Sequence, residues 1–178
     1  PGLLEEVGPS LFDIPNREYV EFGVALSKVE PGTFQKSKLA RIAIDPDNPW
    51  LQTDGMAIYS SDAATFVALA CPCSSYSVAP TCTTLSRKAF SSFGELAEVE
   101  LPSCIKTIEP YAFSRTGVRT FDAPPALEEL GERAFFFCES LEAVTLNEGL
   151  RVIGSDAFSN TVIKELRIPR TAREIGYP

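Results

Sequence analysis

At 178 residues, 44% of them hydrophobic and 22% charged, the chain can bury a sizeable core and is not of the disordered class. A formal net charge of −8 excludes a broad basic face for nucleic acid or anionic membrane, and the absence of histidine removes the commonest general base and metal ligand. No apolar run approaches the roughly 18–20 residues of a membrane span. The chain has neither an initiator Met nor a basic-then-apolar leader, so it reads as a mature or excised piece of a longer protein.

Taken in order, the opening Leu4–Phe12 places Val7 and Phe12 22 residues before Val29 and Phe34. Tyr19–Phe22 follows where a strand belongs, although Arg17 stands at a position that is Leu, Ile or Val in other copies. An irregular first copy suits a solenoid cap, and equally a cut through a longer array. The second copy is clean, with Leu26, Val29, Phe34, Leu39, Ile42 and Ile44.

The period then breaks, since Phe34 lies 56 residues before the next equivalent, Phe90. Turn dipeptides Asn48-Pro49 and Asp54-Gly55 precede two short apolar runs, Gly55–Tyr59 and Thr65–Leu69. These predict a β-hairpin inserted at about 46–75 and projecting from the stack, with a dispensable tip at Ser60–Ala64. Tyr76 and Val78 rejoin the pattern 23 residues before Val99 and Leu101.

From Cys82 the units run unbroken to Pro169. Phe113 to Phe135 is 22 residues and Phe135 to Phe158 is 23, and the copy over Leu127–Leu150 is the clearest of all. A fixed period of this size is the signature of a solenoid. Seven strand rungs are expected: Val20/Phe22, Ile42/Ile44, Tyr76/Val78, Val99/Leu101, Phe121/Ala123, Val144/Leu146 and Leu166/Ile168. One such unit cannot bury its apolar side alone, so the rungs should stack in parallel as a single domain spanning 1–178. Pro102, Pro124 and Pro169 follow strands and end them, having no N–H to donate.

Ala-Phe at 89–90, 112–113, 134–135 and 157–158, Phe135-x-x-Cys138, and the Leu-Pro or Ile-Pro strand ends resemble BspA-like leucine-rich repeats. The interrupted copy resembles that family's extended repeat, through Asn48-Pro49, Asp54-Gly55, Ile58-Tyr59 and the return Tyr76–Pro80. The resemblance implies a right-handed, β-rich leucine-rich-repeat solenoid, of a kind found in surface or secreted adhesion proteins of bacteria and protists. It supplies no catalytic residues. Phe93 and Thr116 depart from the pattern at the Cys138 position, and Cys82 stands at a core Ile position.

Five cysteines cannot all pair within the chain, and Cys71-x-Cys73 is not a redox or zinc spacing. Cys82 and Cys138 fall on inward positions, where a thiol acts as a small hydrophobe. Cys71 or Cys73 bonded to Cys82 or Cys104 would staple the hairpin in an oxidising compartment. Asp45-Pro-Asp47-Asn48 has Pro49 and Trp50 where a calcium loop needs an oxygen ligand and Gly, and reads as a turn.

Outward strand positions are the candidate binding residues: Glu98, Glu100, Thr120, Asp122, Thr145 and Arg167, with Glu98, Glu100 and Asp122 expected to cluster. Clustered carboxylates could serve a carbohydrate-active site, which would require a ligand-sized cleft beside them. The stronger expectation is a non-catalytic module, without cofactor or metal, that binds a protein partner at a cell surface or after secretion. The alternative is a structural subunit of an intracellular or organellar assembly. Neither nucleic acid nor a membrane span enters either reading.

Overall fold

The structure is a computed structural model and describes residues 4–9, 12 and 18–176; Arg17 lies outside them. In chain order the described strands are β1 (Glu6–Val7), β2 (Tyr19–Phe22), β3 (Lys28–Val29), β4 (Arg41–Ile44), β5 (Leu51–Thr53), β6 (Ala57–Ser60), β7 (Thr65–Leu69) and β8 (Ser75–Ser77). They continue with β9 (Thr84–Leu85), β10 (Glu98–Glu100), β11 (Thr107–Ile108), β12 (Thr120–Asp122), β13 (Glu129–Leu130), β14 (Ala143–Thr145), β15 (Val152–Ile153) and β16 (Glu174–Ile175). They form a β-solenoid of about 7 turns with parallel sheets.

Each turn crosses two faces. The broad face carries β2, β4, β8, β10, β12 and β14, paired in parallel as β2–β4, β8–β10 and β12–β14. The opposite face carries mostly two-residue strands in one eight-stranded sheet, ordered β16-β15-β13-β11-β9-β7-β6-β5, with β1–β3 beside it. Sequence reasoning expected only the broad-face ladder. Two-residue strands such as Thr107-Ile108 are too short to show alternation, so the second ladder leaves no pattern of period two.

A corner joins the faces, and its geometry is set by backbone conformation. Lys88, Tyr111, Arg133 and Asp156 share one corner position with φ between 51° and 62°, and Ser92, Arg115, Phe137 and Asn160 share a second with φ between 58° and 70°. Two left-handed residues reverse the chain sharply, and cross-rung bonds hold the strain in place. Phe90 N–H donates to Ala112 C=O at 2.7 Å, Phe113 N–H to Ala134 C=O at 2.8 Å and Phe135 N–H to Ala157 C=O at 2.8 Å.

Behind the corner, the Phe side chains stack face to face along the solenoid axis. Ring centroids lie 5.0 Å apart for Phe90–Phe113, 4.9 Å for Phe113–Phe135 and 5.6 Å for Phe135–Phe158. Rows of Leu and Ile complete the core, among them Leu85, Ile108, Leu130 and Ile153. On the C-terminal turns a small residue lets rungs approach closely. A Cβ on Gly154 would sit 2.2 Å from the Glu132 backbone nitrogen.

The inserted hairpin exists, as antiparallel β6 and β7, but it does not project. β7 pairs in parallel with β9 through Thr65–Thr84 and Phe66–Leu85, so the insertion is part of the eight-stranded sheet. Phe66 is fully buried and stacks on Phe90 at 4.4 Å, entering the Phe row from a Leu position. Thr65–Leu69 is apolar at Phe66, Ala68 and Leu69, and such a strand is stable only against the core. The tip is tied in as well, because Ala64 C=O accepts from Thr83 N–H at 2.8 Å and Thr84 N–H at 3.2 Å.

The expected seventh rung, Leu166/Ile168, does not form a strand, and its side chains are 37% and 40% exposed. Among the described residues no broad-face strand follows them, so their burial contributes little. The cysteines have free thiols. Cys82 and Cys138 are buried as expected, and desolvation pushes both thiols up. Cys138 Sγ lies 3.4 Å from Thr116 Oγ1, which places these two residues in the same core row.

Candidate protein-binding face

Along the broad face, backbone pairing decides which way each residue turns. Glu98 N–H donates to Ser74 C=O at 3.2 Å and Val78 N–H to Glu100 C=O at 3.0 Å, so Glu98 and Glu100 aim their peptide groups at β8. Ala123 N–H donates to Thr145 C=O at 2.8 Å and Ala143 N–H to Arg119 C=O at 3.5 Å, so β12 turns Phe121 toward β14. In a parallel strand, alternate residues address opposite neighbours. Val99 on β10 and Thr120 and Asp122 on β12 therefore face each other.

They do not pair. Arg119 N–H still reaches Ala97 C=O at 3.3 Å where the two rungs leave the corner, and beyond that the strands splay. A cleft of about 370 Å³ opens between them, walled by Val99, Leu101, Thr120, Phe121, Asp122 and Ala123. Two physical causes act together. In the register of the other rungs Glu100 would stand directly beside Asp122, and like charges across a ladder are destabilising. Phe121 also packs against Phe135 of the following unit at 4.6 Å, nearer than Phe113 at 6.4 Å, and so draws β12 toward β14.

The predicted binding residues divide accordingly. Glu98, Glu100, Thr120, Asp122 and Thr145 are exposed on strands of the broad face, and the splayed pair carries the acidic three. Glu100 is engaged by Ser77 Oγ at 3.0 Å. Arg167 is exposed too, but on the irregular stretch that replaces the seventh rung, so it joins no ladder. Asp122 lines the cleft, while Glu98 and Glu100 stand on the strand beside it.

Two further surfaces carry no sequence signal that was read. Along the corner, Arg87 and Arg133 lie 5.3 Å and 5.9 Å from the Tyr111 ring centroid, and Arg115 lies 5.2 Å from that of Phe137. Arg133 also donates to Tyr111 Oη at 2.8 Å and pairs with Asp156 at 2.9 Å. These groups satisfy one another from rung to rung, which makes them a staple between corners more than an open site. The shared spacing of Tyr111, Arg133 and Asp156 was the available signal.

The second surface is a corner cavity of about 650 Å³ between Gln35–Leu39 and Ser92–Glu95, with Pro72 and Cys73 between them. It exists because the inserted copy takes a short cut from Leu69 to Ser75 and builds no corner turn. Gln35 Nε2 reaches across to Ser91 Oγ at 3.0 Å. Beneath, a polar latch of two buried tyrosines and the exposed Asp54 fixes the insertion: Tyr59 and Tyr76 hydroxyls are 2.7 Å apart, and Tyr76 donates to Asp54. Burial first, and the Asp54 carboxylate second, push the Tyr76 hydroxyl far above the ordinary phenol range. Asn48 closes the insertion's first turn, donating to Gly23 and Leu26 carbonyls and accepting from Trp50 and Leu51 N–H.

Stacked parallel rungs, a Phe row and two ladders define a repeat solenoid. The chain belongs to the BspA type leucine rich repeat family, which it matches in 6 copies over residues 63–178. Among solved structures it is similar to a leucine-rich repeat protein from Eubacterium ventriosum, with TM-score 0.62 and 17% identity over 99% of this chain and 61% of that one. The pneumococcal vaccine antigen PcpA is similar at TM-score 0.66 and 15% identity, over 99% of this chain and 55% of that one. A leucine rich cell surface protein from Faecalibacterium prausnitzii is similar at TM-score 0.54 and 18% identity, over 97% of this chain and 38% of that one. The chain thus spans less than two thirds of the length of each of these structures. No curated protein matches it. No helix among the described residues is long and apolar enough to cross a membrane.

Proposed function

We propose that the chain is a non-catalytic protein-binding module of a cell-surface or secreted adhesion protein, meeting its partner through the broad face. The observation that carries this reading is the splayed pair β10–β12, whose strands expose Glu98, Glu100 and Asp122 and leave an open cleft between them, lined by Asp122. Family membership supports a module built for interaction, since stacked repeats create extended surfaces that can be varied without touching the core. Support for the surface address comes from similar structures described as a cell surface protein and a vaccine antigen. Thr145 and Arg167 extend the candidate surface away from its acidic centre.

An acidic stripe attracts a basic partner chiefly through association rate, and less through intrinsic affinity. The test is capture of a partner found by pull-down with the immobilised chain, followed by association kinetics at two salt concentrations. Glu98→Lys with Glu100→Lys should slow association roughly tenfold or more at low salt without lowering the melting temperature. Equal rates in the double variant would remove the broad face from the binding site.

A further inference from the structure

The parallel ladder of the broad face is interrupted twice: between β4 and β8, where the insertion enters and Ile42 N–H donates to Gly55 C=O at 2.9 Å, and between β10 and β12, where no segment of the chain intervenes. Between β10 and β12 the backbone groups that would form it are turned toward each other across the cleft: Val99 N–H and C=O and Leu101 N–H on one side, Thr120 C=O and Asp122 N–H and C=O on the other. Two bonds that would close it, from Thr120 N–H to Ala97 C=O and from Leu101 N–H to Asp122 C=O, are not made. Backbone donors and acceptors left open at a strand edge are a template for another strand.

We infer that the cleft is a strand-addition slot that takes an extended segment of a partner protein in which Lys or Arg alternates with small apolar residues. The inference rests on the broad-face reading and specifies its ligand. An inserted strand presents alternate side chains to opposite faces. Its outward residues lie on the exposed side of the sheet, beside the outward-facing Glu98 and Glu100 of β10 and Asp122 of β12, so cationic side chains neutralise the repulsion that keeps these strands apart. Its inward residues meet Val99, Leu101, Phe121 and Ala123, which line the cleft in a space of about 370 Å³ that suits Val or Ala more than an aromatic ring. Main-chain bonds supply affinity in such an arrangement, and the alternate pockets supply selection.

The slot is tested by titrating the isotope-labelled chain with the synthetic peptide Lys-Val-Lys-Val-Lys, capped at both ends, and following amide resonances. The expected result is saturable shifts at Val99, Leu101 and Asp122. The same peptide N-methylated at its central residue keeps every charge and side chain but loses one backbone donor, and it should bind roughly tenfold more weakly. Val99→Pro removes an N–H that faces the slot and not β8, so it should weaken the parent peptide by a similar factor while the β8–β10 amides stay protected.

Equal binding of the two peptides would overturn strand addition, while slowed partner capture by Glu98→Lys/Glu100→Lys would still uphold the broad face. Full discrimination between the peptides together with unchanged partner capture would have the opposite meaning, leaving the slot and removing the charge-steered reading. Absence of shifts at Val99 and Asp122 at saturating peptide overturns the slot. A chain that dimerises in solution, and ceases to do so as Val99→Pro, would assign the slot to a second copy and overturn the partner proposed.

Discussion

At the scale of single residues, the Phe row shows how position decides the worth of a side chain. Phe135 is 1% exposed and stacked on both neighbours, whereas Phe136 is only half-buried and touches Phe137 and Arg133. Phe135→Ala should cost about 3–5 kcal/mol through lost burial and the cavity it leaves. Phe136→Ala should cost far less, and denaturant titration of the two variants compares them directly. Equal losses would mean the repeat register is wrong. The Phe row was legible because an aromatic recurring every 22–23 residues is a strong signal. The corner conformation was not, because its left-handed positions are filled by Lys, Tyr, Arg, Asp, Ser, Phe and Asn, with Gly32 the one glycine among the equivalents. Cross-rung bonds, which no local composition reveals, hold those residues there.

Between single residues and the whole stands the inserted copy. Its hairpin was visible from turn dipeptides and two apolar runs, yet its destination was not, since Thr65–Leu69 reads the same whether it projects or joins a ladder. What decides is the vacancy in the Phe row between Phe34 and Phe90, filled by Phe66, and the free edge of β9, filled by β7. A tip outside the stack could be removed at little cost, but this one carries the Ala64 carbonyl that receives the Thr83 and Thr84 amides. Deleting Ser60–Ala64 should therefore lower stability by about 3 kcal/mol, at about 0.5–1.5 kcal/mol for each of several bonds lost. Thermal unfolding checks this, and an unchanged melting temperature would return the hairpin to the exterior.

For the molecule as a whole, periodicity alone specified a solenoid, and the broad-face residues followed from alternation within each unit. The sequence could also place Glu98, Glu100 and Asp122 near one another. It could not show that the ladder opens between them, because that depends on which neighbour Phe121 leans against and on charges brought together only by stacking. The splayed rung is one of the places where the fold departs from its own repetition, and both the proposed partner surface and the proposed slot depend on it. Amide hydrogen exchange on the free chain, resolved residue by residue, measures that departure directly. Glu98, Val78 and Ala123 amides, each bonded to a neighbouring rung, should exchange slowly, and Val99, Leu101 and Asp122 amides should exchange fast. Protection of Val99 and Asp122 equal to that of Ala123 would show a continuous sheet, and would contradict both the slot and the account of the broad face built on it.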